Sequence, residues 1–291
     1  MTDQPPTFPR GKPVPGLHFI ATPIGAARDI TLRALDILAG AEVLAAEDTR
    51  TLRHLMEIHG IPLLGRPLLA YHDHNGEAAR PRLLAELRAG KSVAYASEAG
   101  TPLIADPGFQ LARAAIAEGM PVLAAPGASA LLCALTVSGL PSDRFLFAGF
   151  LPNKSAARQQ DLHRLKATQA TLIFYESPKR LASCLRDMAV VLGPDRQAAI
   201  CRELTKKFEE VSRGTLDALA ESYALREVKG EIVVLIDRAA AEIVGENQIK
   251  TALVQALETL SVKDAAAEVA EKLGLARRDV YQRALAMGKD R

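Results

Sequence analysis

Two α/β domains followed by a small helical one form the architecture that the sequence predicts, on three observations. The chain has 291 residues, too many for one small core and enough for about two. From Leu17 onward, short aliphatic runs alternate with amphipathic stretches. That is the texture of strand–loop–helix repeats, and of a mostly parallel sheet with helices on both faces. Around Phe145–Pro152 the texture changes, and from Ile249 to Met287 the chain is strongly helical and lacks proline. The predicted boundaries are a disordered leader over 1–16, an N-terminal α/β domain over 17–148, a second α/β domain over 149–240 and a helical domain over 241–291.

The elements follow from local pattern. Leu17–Ala21 is a buried strand ended by Thr22-Pro23-Ile24-Gly25. Asp29–Ala39 reads as a helix with Asp29 as its cap and Ile30, Leu32, Leu35, Ile37 and Leu38 as its apolar residues. Val43–Ala46 is a second strand, followed by Glu47-Asp48-Thr49-Arg50 and a helix to about His59. Leu68–Tyr71 and Val93–Ala96 are strands flanking a helix over Glu77–Ala89. Phe109–Glu118 is helical, and Val122–Ala125 is a strand before Pro126-Gly127. In the second block Ser155–Leu165 and Arg180–Leu192 read as helices, and Thr171–Tyr175, Gln197–Arg202 and Gly230–Ile236 as longer strands with some antiparallel character. A linker lies near Ala239–Gly245.

Composition narrows the function. Hydrophobic residues make up 48% and charged residues 24%, which is a globular balance, and without Trp the core must be aliphatic. The formal charge of +2 excludes a strongly basic nucleic-acid coat. Residues 151–231 carry 14 basic against 11 acidic side chains, while 1–150 hold 13 and 14, and 241–291 hold 8 and 8. An anionic partner should meet the middle block first. Cys133, Cys184 and Cys201 are widely spaced with no CxxC pair, which favours a reducing cytosol over a disulfide framework. The proline-containing start has no apolar run for a signal peptide, and no apolar stretch reaches membrane-spanning length.

Several loops carry chemistry and several are decoys. The turn at Thr22–Gly25 permits close approach of backbone to a ligand, yet the three-glycine dinucleotide fingerprint is missing. Gly90-Lys91-Ser92 resembles the end of a phosphate loop, but Ala85 stands where its first glycine belongs, and the tripeptide precedes a strand. His72-Asp73-His74 has metal-like spacing without a third ligand, so no metal is expected. Ser97–Gly108 is the most unusual segment, with two glycines, two prolines and two carboxylates in twelve residues after a buried strand. Its length favours a binding loop. Pro126–Leu131 repeats the strand-to-helix turn with small residues, which serves ligand approach or helix packing equally well.

Taken in order, these segments resemble the tetrapyrrole methylase superfamily of S-adenosylmethionine enzymes, and more closely its ribosomal branch, the 16S rRNA (cytidine-2′-O)-methyltransferases. The residues that carry the resemblance are Ala21-Thr-Pro-Ile-Gly25 with Asp29–Ala34, Ala46-Glu-Asp-Thr-Arg50, Tyr71-His-Asp-His-Asn75, and Ala99–Ile104 with Asp106-Pro-Gly108. It continues through Gly139–Phe145, Gly149-Phe-Leu-Pro152, Leu172–Pro178, Arg202-Glu-Leu-Thr-Lys206 and Lys229-Gly-Glu-Ile232. Each motif alone is weak; nine in register are specific. The chain departs from the family pattern at Ala26 and Ala27, usually Asn and a bulkier residue, at Glu98, usually Asp, and at Lys179, commonly His.

The resemblance implies two tetrapyrrole-methylase-type α/β domains with the cofactor in the cleft between them, and a homodimer. It implies S-adenosylmethionine as cofactor and the ribose of a decoding-region cytidine of 16S rRNA in the small subunit as substrate. It puts Pro23, Ile24, Gly25, Gly100, Thr101, Ile104, Ser129, Ala130 and Tyr175 at the cofactor. The reaction needs a ribose hydroxyl aligned with the electrophilic methyl and one proton removed; Glu47, Asp48, Glu98 and Asp106 are the candidate bases. The bland alternative pairs Asp48 with Arg50 or Arg53 and leaves Asp106 to fix its own turn. Arg50, Lys154, Arg158, Arg277 and Arg278 are the candidate RNA contacts. The last two open the second helix of a helix-turn-helix pattern around Gly274, which would also suit a structural cap. Two other functions stay open, a tetrapyrrole or corrin C-methyltransferase and a non-catalytic ribosome-assembly binder.

Overall fold

The structure is a computed structural model that describes residues 11–72, 74–104, 108–240 and 246–288. The chain divides into two compact units, Met1–Ala239 and Ala240–Arg291. Residues 1–10 of the expected leader lie outside the described residues. Of its remainder, Lys12 pairs with Glu42 at 3.0 Å and Gly16 already belongs to the first strand.

The first sheet consists of β1 (Gly16–Ile20), β2 (Val43–Ala46), β3 (Leu68–Ala70), β4 (Ser92–Ala96) and β5 (Val122–Ala125), all parallel in the order β3-β2-β4-β1-β5. Its central strands β1, β2 and β4 are buried along their whole length, as a sheet covered on both faces requires. The pleat sends alternate residues to opposite cores. Ile20, Leu44, Ala94 and Ala96 meet α1 (Leu32–Gly40) and α2 (Thr49–Ile58), while Leu17, Phe19, Val43, Val93 and Tyr95 meet α3 (Gly76–Arg88) and α4 (Phe109–Ala117). The helix expected from Asp29 starts later. Asp29 donates its amide to Ala26 in a turn, and Thr31 is the cap, its hydroxyl accepting from the Ala34 amide at 3.2 Å.

The second sheet runs β6-β7-β10-β8-β9, formed by β6 (Phe145–Phe150), β7 (Thr171–Glu176), β8 (Gln197–Arg202), β9 (Glu210–Thr215) and β10 (Ile232–Ile236). Only β6 and β7 pair in parallel; the other pairs are antiparallel. All of β6 belongs to this sheet, so the change of sheet precedes Phe145, and a division at residue 148 cuts through a strand. One face packs on α6 (Ser155–Leu165), α7 (Leu181–Leu192) and α8 (Leu216–Ala224). The other face receives α5 (Ala130–Ser138), which leaves the first sheet at β5 and lays Leu131, Ala134 and Leu135 against Ile173, Ala199 and Leu235. α5 is therefore the element that joins the two sheets.

The second unit contains α9 (Glu246–Ala256), α10 (Val262–Leu273) and α11 (Arg277–Gly288), closed around Leu253, Ala265, Ala266, Val269, Val280 and Ala284. Ser261 caps α10 through the Asp264 amide, and Gly274, at φ 63°, takes the left-handed turn into α11. Among the described residues no helix is long and apolar enough to cross a membrane.

Candidate functional site

In a parallel sheet the loops beyond the carboxyl ends of the strands are free to hold a ligand. Here three of them are stitched together by hydrogen bonds. The loop after β1 and the loop after β4 exchange two backbone bonds, Thr22 N–H to Gly100 O and Gly100 N–H to Thr22 O, each 3.0 Å. Thr22 donates its hydroxyl to Ser97 O, and Ser97 donates its own to Gly100 O at 2.6 Å. Thr101 donates to Ala128 O at 2.9 Å, which ties in the loop after β5. Gly100 sits at φ 81°, and a Cβ there would meet Ile24 Cγ2 at 3.3 Å. The backbone angle favours glycine, and a Cβ would in addition press on Ile24.

These loops wall one side of a cavity of about 370 Å³; the other side comes from the second sheet. Ile24, Gly100, Thr101, Ile104, Ser129, Ala130 and Tyr175, all expected from sequence, line it, together with Phe150, Cys201, Leu204 and Val233. The volume falls within the range of about 300–1,000 Å³ usual for small-molecule sites. Tyr175 packs edge-on against Phe147 and Phe150, with ring centroids 4.8 and 5.8 Å away. Burial pushes its hydroxyl above the ordinary tyrosine value despite a hydrogen bond from the Leu131 amide. Burial also pushes the Cys201 thiol up to about 11, so at neutral pH the phenol and the thiol are both uncharged.

Pro23 and Gly25 do not line the cavity. Gly25 serves contact between segments of the chain: a Cβ there would lie 2.5 Å from Lys206 Cγ and 2.6 Å from Thr205 Oγ1. The neighbouring Ala26 amide donates to Thr205 Oγ1 at 3.2 Å. The glycine is needed because the turn after β1 docks on the segment following β8. Glu203 and Thr205 in that segment hold positive φ values of 50° and 64°, a conformation that costs energy in any residue with a Cβ.

The candidate bases separate. Asp48 caps α2 through the Arg50 and Thr51 amides and pairs with the Arg50 guanidinium at 3.0 Å. The Arg50 side chain, then its amide, hold the Asp48 carboxyl at about 2. A carboxylate that acidic is a weak base at neutral pH, and its structural use corrects the catalytic expectation. Glu47 follows β2, one strand further from the cavity loops than β4. Glu98 is exposed and immediately precedes Ala99 and Gly100, which line the cavity. Asp106 lies outside the described residues. Sequence reasoning missed Glu176 and Glu231, two carboxylates among the lining residues, because the second sheet's register brings them to the cavity from far along the chain.

The RNA candidates separate as well. Arg158 is only 3% exposed. It pairs with Asp187 at 2.6 Å and donates to the carbonyls of Pro152 and Asn153. That is a correction: the α6 pattern brings Arg158 inward, where it fixes the loop after β6. Lys154 is exposed at the start of the same helix, as are Arg277 and Arg278 at the start of α11. Arg50 is exposed but shared with Asp48. His72 and His74 stack edge-on with centroids 6.1 Å apart, Asp73 lies outside the described residues, and among those residues no group of three His, Cys, Asp or Glu converges on a metal position.

The family Tetrapyrrole (Corrin/Porphyrin) Methylases matches residues 16–220, and the family RsmI C-terminal HTH domain matches residues 239–288. A ribosomal RNA small subunit methyltransferase I of Mesorhizobium japonicum is 50% identical over 272 residues, spanning 93% of this chain and 92% of the relative. Its namesake in Xylella fastidiosa (strain Temecula1) is 47% identical over 259 residues, spanning 87% and 94%. Among solved structures, a cobalt precorrin-4 methyltransferase of cobalamin biosynthesis superposes with a TM-score of 0.57 at 18% identity, over 76% of this chain and 94% of that one. A uroporphyrin-III C-methyltransferase of Thermus thermophilus, complexed with S-adenosylhomocysteine, gives 0.53 at 19% identity over 77% and 97%. At such identities the structural likeness is one of fold.

Proposed function

Because the chain belongs to the ribosomal RNA small subunit methyltransferase I family of tetrapyrrole methylases, we propose that it transfers a methyl group from S-adenosylmethionine to the ribose 2′-hydroxyl of a cytidine in small-subunit rRNA, the decoding-region position 1402. The observation that carries this reading is the stitched, largely apolar cavity, whose described charged lining residues are both carboxylates. Apolar walls and small-residue loops suit the adenine and the methionine chain; acidic side chains suit a cation. Ile24, Gly100, Thr101, Ile104, Ser129, Ala130 and Tyr175 would hold the cofactor, and when bound it supplies an electrophilic methyl on a sulfonium. The loops fix the position of the reacting groups and keep water out. Glu98, exposed and next in sequence to the lining residue Ala99, is our choice for the group that takes the hydroxyl proton, with Glu47 and Asp106 as the alternatives.

RNA would be held by Lys154 and by Arg277 and Arg278 of the helix-turn-helix unit. The assembly is proposed to be a cytosolic homodimer; the exposed Phe145 and Leu146 on the edge strand β6 supply apolar surface for a second copy. The test is to offer methyl-tritiated S-adenosylmethionine to the purified chain with unmodified small subunits, large subunits, or uroporphyrinogen. Label entering small-subunit rRNA alone supports the proposal. Label on the tetrapyrrole would make the chain a C-methyltransferase, and tight cofactor binding with no transfer would make it a binder.

A further inference from the structure

The two acidic residues that line the cavity sit in different surroundings. Of the two acidic lining residues, Glu176 is committed to the fold: its side chain is 1% exposed, accepts from the Ser177 amide and pairs with Arg180 at 3.3 Å. Glu231 differs. Its side chain is 73% exposed and pairs with Lys206 at 2.9 Å. The same Lys206 ammonium binds Glu203, also at 2.9 Å. One lysine thus serves two carboxylates, and the triad carries a net negative charge at the rim.

The backbone is forced to make this triad. Glu203 and Thr205 hold left-handed φ values. Glu203 donates its amide to Glu231 O, and its carboxylate accepts from the Glu231 amide at 3.0 Å. Gly230, at φ 94°, is glycine because a Cβ there would lie 2.4 Å from the Glu203 side chain. Strain of this kind persists only where the surroundings over-determine it, and it concentrates at ligand clamps. Here it fixes Glu231 beside Gly230 and Ile232, both of which line the cavity.

Resting on the methyl-donor reading of that cavity, we propose that Glu231, its backbone held by Glu203 and its charge partly offset by Lys206, is the residue that distinguishes the cationic donor from its neutral sulfide product. The donor carries a sulfonium charge and S-adenosylhomocysteine does not, so an anionic rim favours the first and releases the second. The Lys206 counter-charge keeps the preference moderate, so that the cavity stays ready to exchange product for donor.

The experiment is titration calorimetry of the full chain with S-adenosylmethionine and, separately, with S-adenosylhomocysteine. The isosteric Glu231→Gln variant should lose about fivefold in affinity for the donor and change less than about twofold for the sulfide, the scale of a partly exposed charge interaction. Lys206→Met, which removes the counter-charge, should move the ratio of the two affinities the opposite way. Equal losses for both ligands in Glu231→Gln would make the residue a loop support and overturn the proposal, as would no change for either. If the parent chain binds neither compound, the methyl-donor reading itself fails, and this proposal with it.

Discussion

Arg158 and Asp187 illustrate how one side chain can look like surface in sequence and serve the interior. Burial pushes the Asp187 carboxyl upward, but hydrogen bonds from Gln159, Ser155 and Arg158 outweigh it and hold the group below its ordinary range. A carboxylate depressed on folding stabilises the protein above its unfolded value and loses that contribution as the pH falls through the folded one. Acid titration of Asp187→Asn should therefore show a smaller stability loss below about pH 4 than the parent. At neutral pH Asp187→Ala should cost about 3–5 kcal/mol in urea unfolding, because it strands a buried guanidinium. Lys154→Ala should leave stability alone and reduce the salt slope of RNA binding by about one; an unchanged slope would make Lys154 an ordinary solvated lysine. Gly100→Val should abolish cofactor binding in calorimetry, since valine resists φ 81° and its Cβ would press on Ile24. Gly100 was readable from its loop, whereas Gly25 was not: a glycine reports close approach, and sequence does not say whether the neighbour is a ligand or Thr205.

α5 carries the link between the sheets at the level of elements. Its cap residue Ser129 and first residue Ala130 line the cavity. At its C-terminus Gly139 turns left-handed, and Arg213 of β9 donates to the carbonyls of Val137 and Ser138. Arg213→Ala should cost about 1 kcal/mol, measured by thermal unfolding, because an exposed charge-assisted cap is worth about that much. Apolar, well-bounded elements were legible: Val43–Ala46, Val122–Ala125, Ser155–Leu165 and Gln197–Arg202 occur with the bounds their pattern predicts. β9 was not, because Glu210-Val-Ser-Arg-Gly-Thr215 is a polar edge strand without an apolar run. The start of α1 was misplaced because Asp29 and Thr31 are both good caps and only the tertiary turn at Ala26 decides between them. The far wall of the cavity stayed hidden for a related reason. Glu176 and Val233 reach it through antiparallel register, which local periodicity does not encode.

The whole molecule combines a two-sheet body that contains the cavity with a separate helix-turn-helix unit. Its exposed arginines Arg277 and Arg278 stand beside eight acidic residues in the last 51, and Arg283 is partly neutralised by Glu246 at 3.7 Å. Electrostatic attraction by this unit is therefore modest and local. Deleting everything after Gly245 should leave a folded body that binds S-adenosylmethionine normally and methylates RNA poorly. Full retention of activity would show that the unit does not dock RNA, and loss of folding would make it a structural cap. Ribose methylation of small-subunit rRNA is tested by mapping the product. Small subunits lacking the modification should be incubated with the chain and S-adenosylmethionine, and their rRNA digested to nucleosides and fragments for mass spectrometry. The expected product carries a single added methyl on the ribose of one decoding-region cytidine, absent when Gly100→Val replaces the parent. A methyl on a base, or no methyl on the rRNA despite cofactor binding, would contradict it.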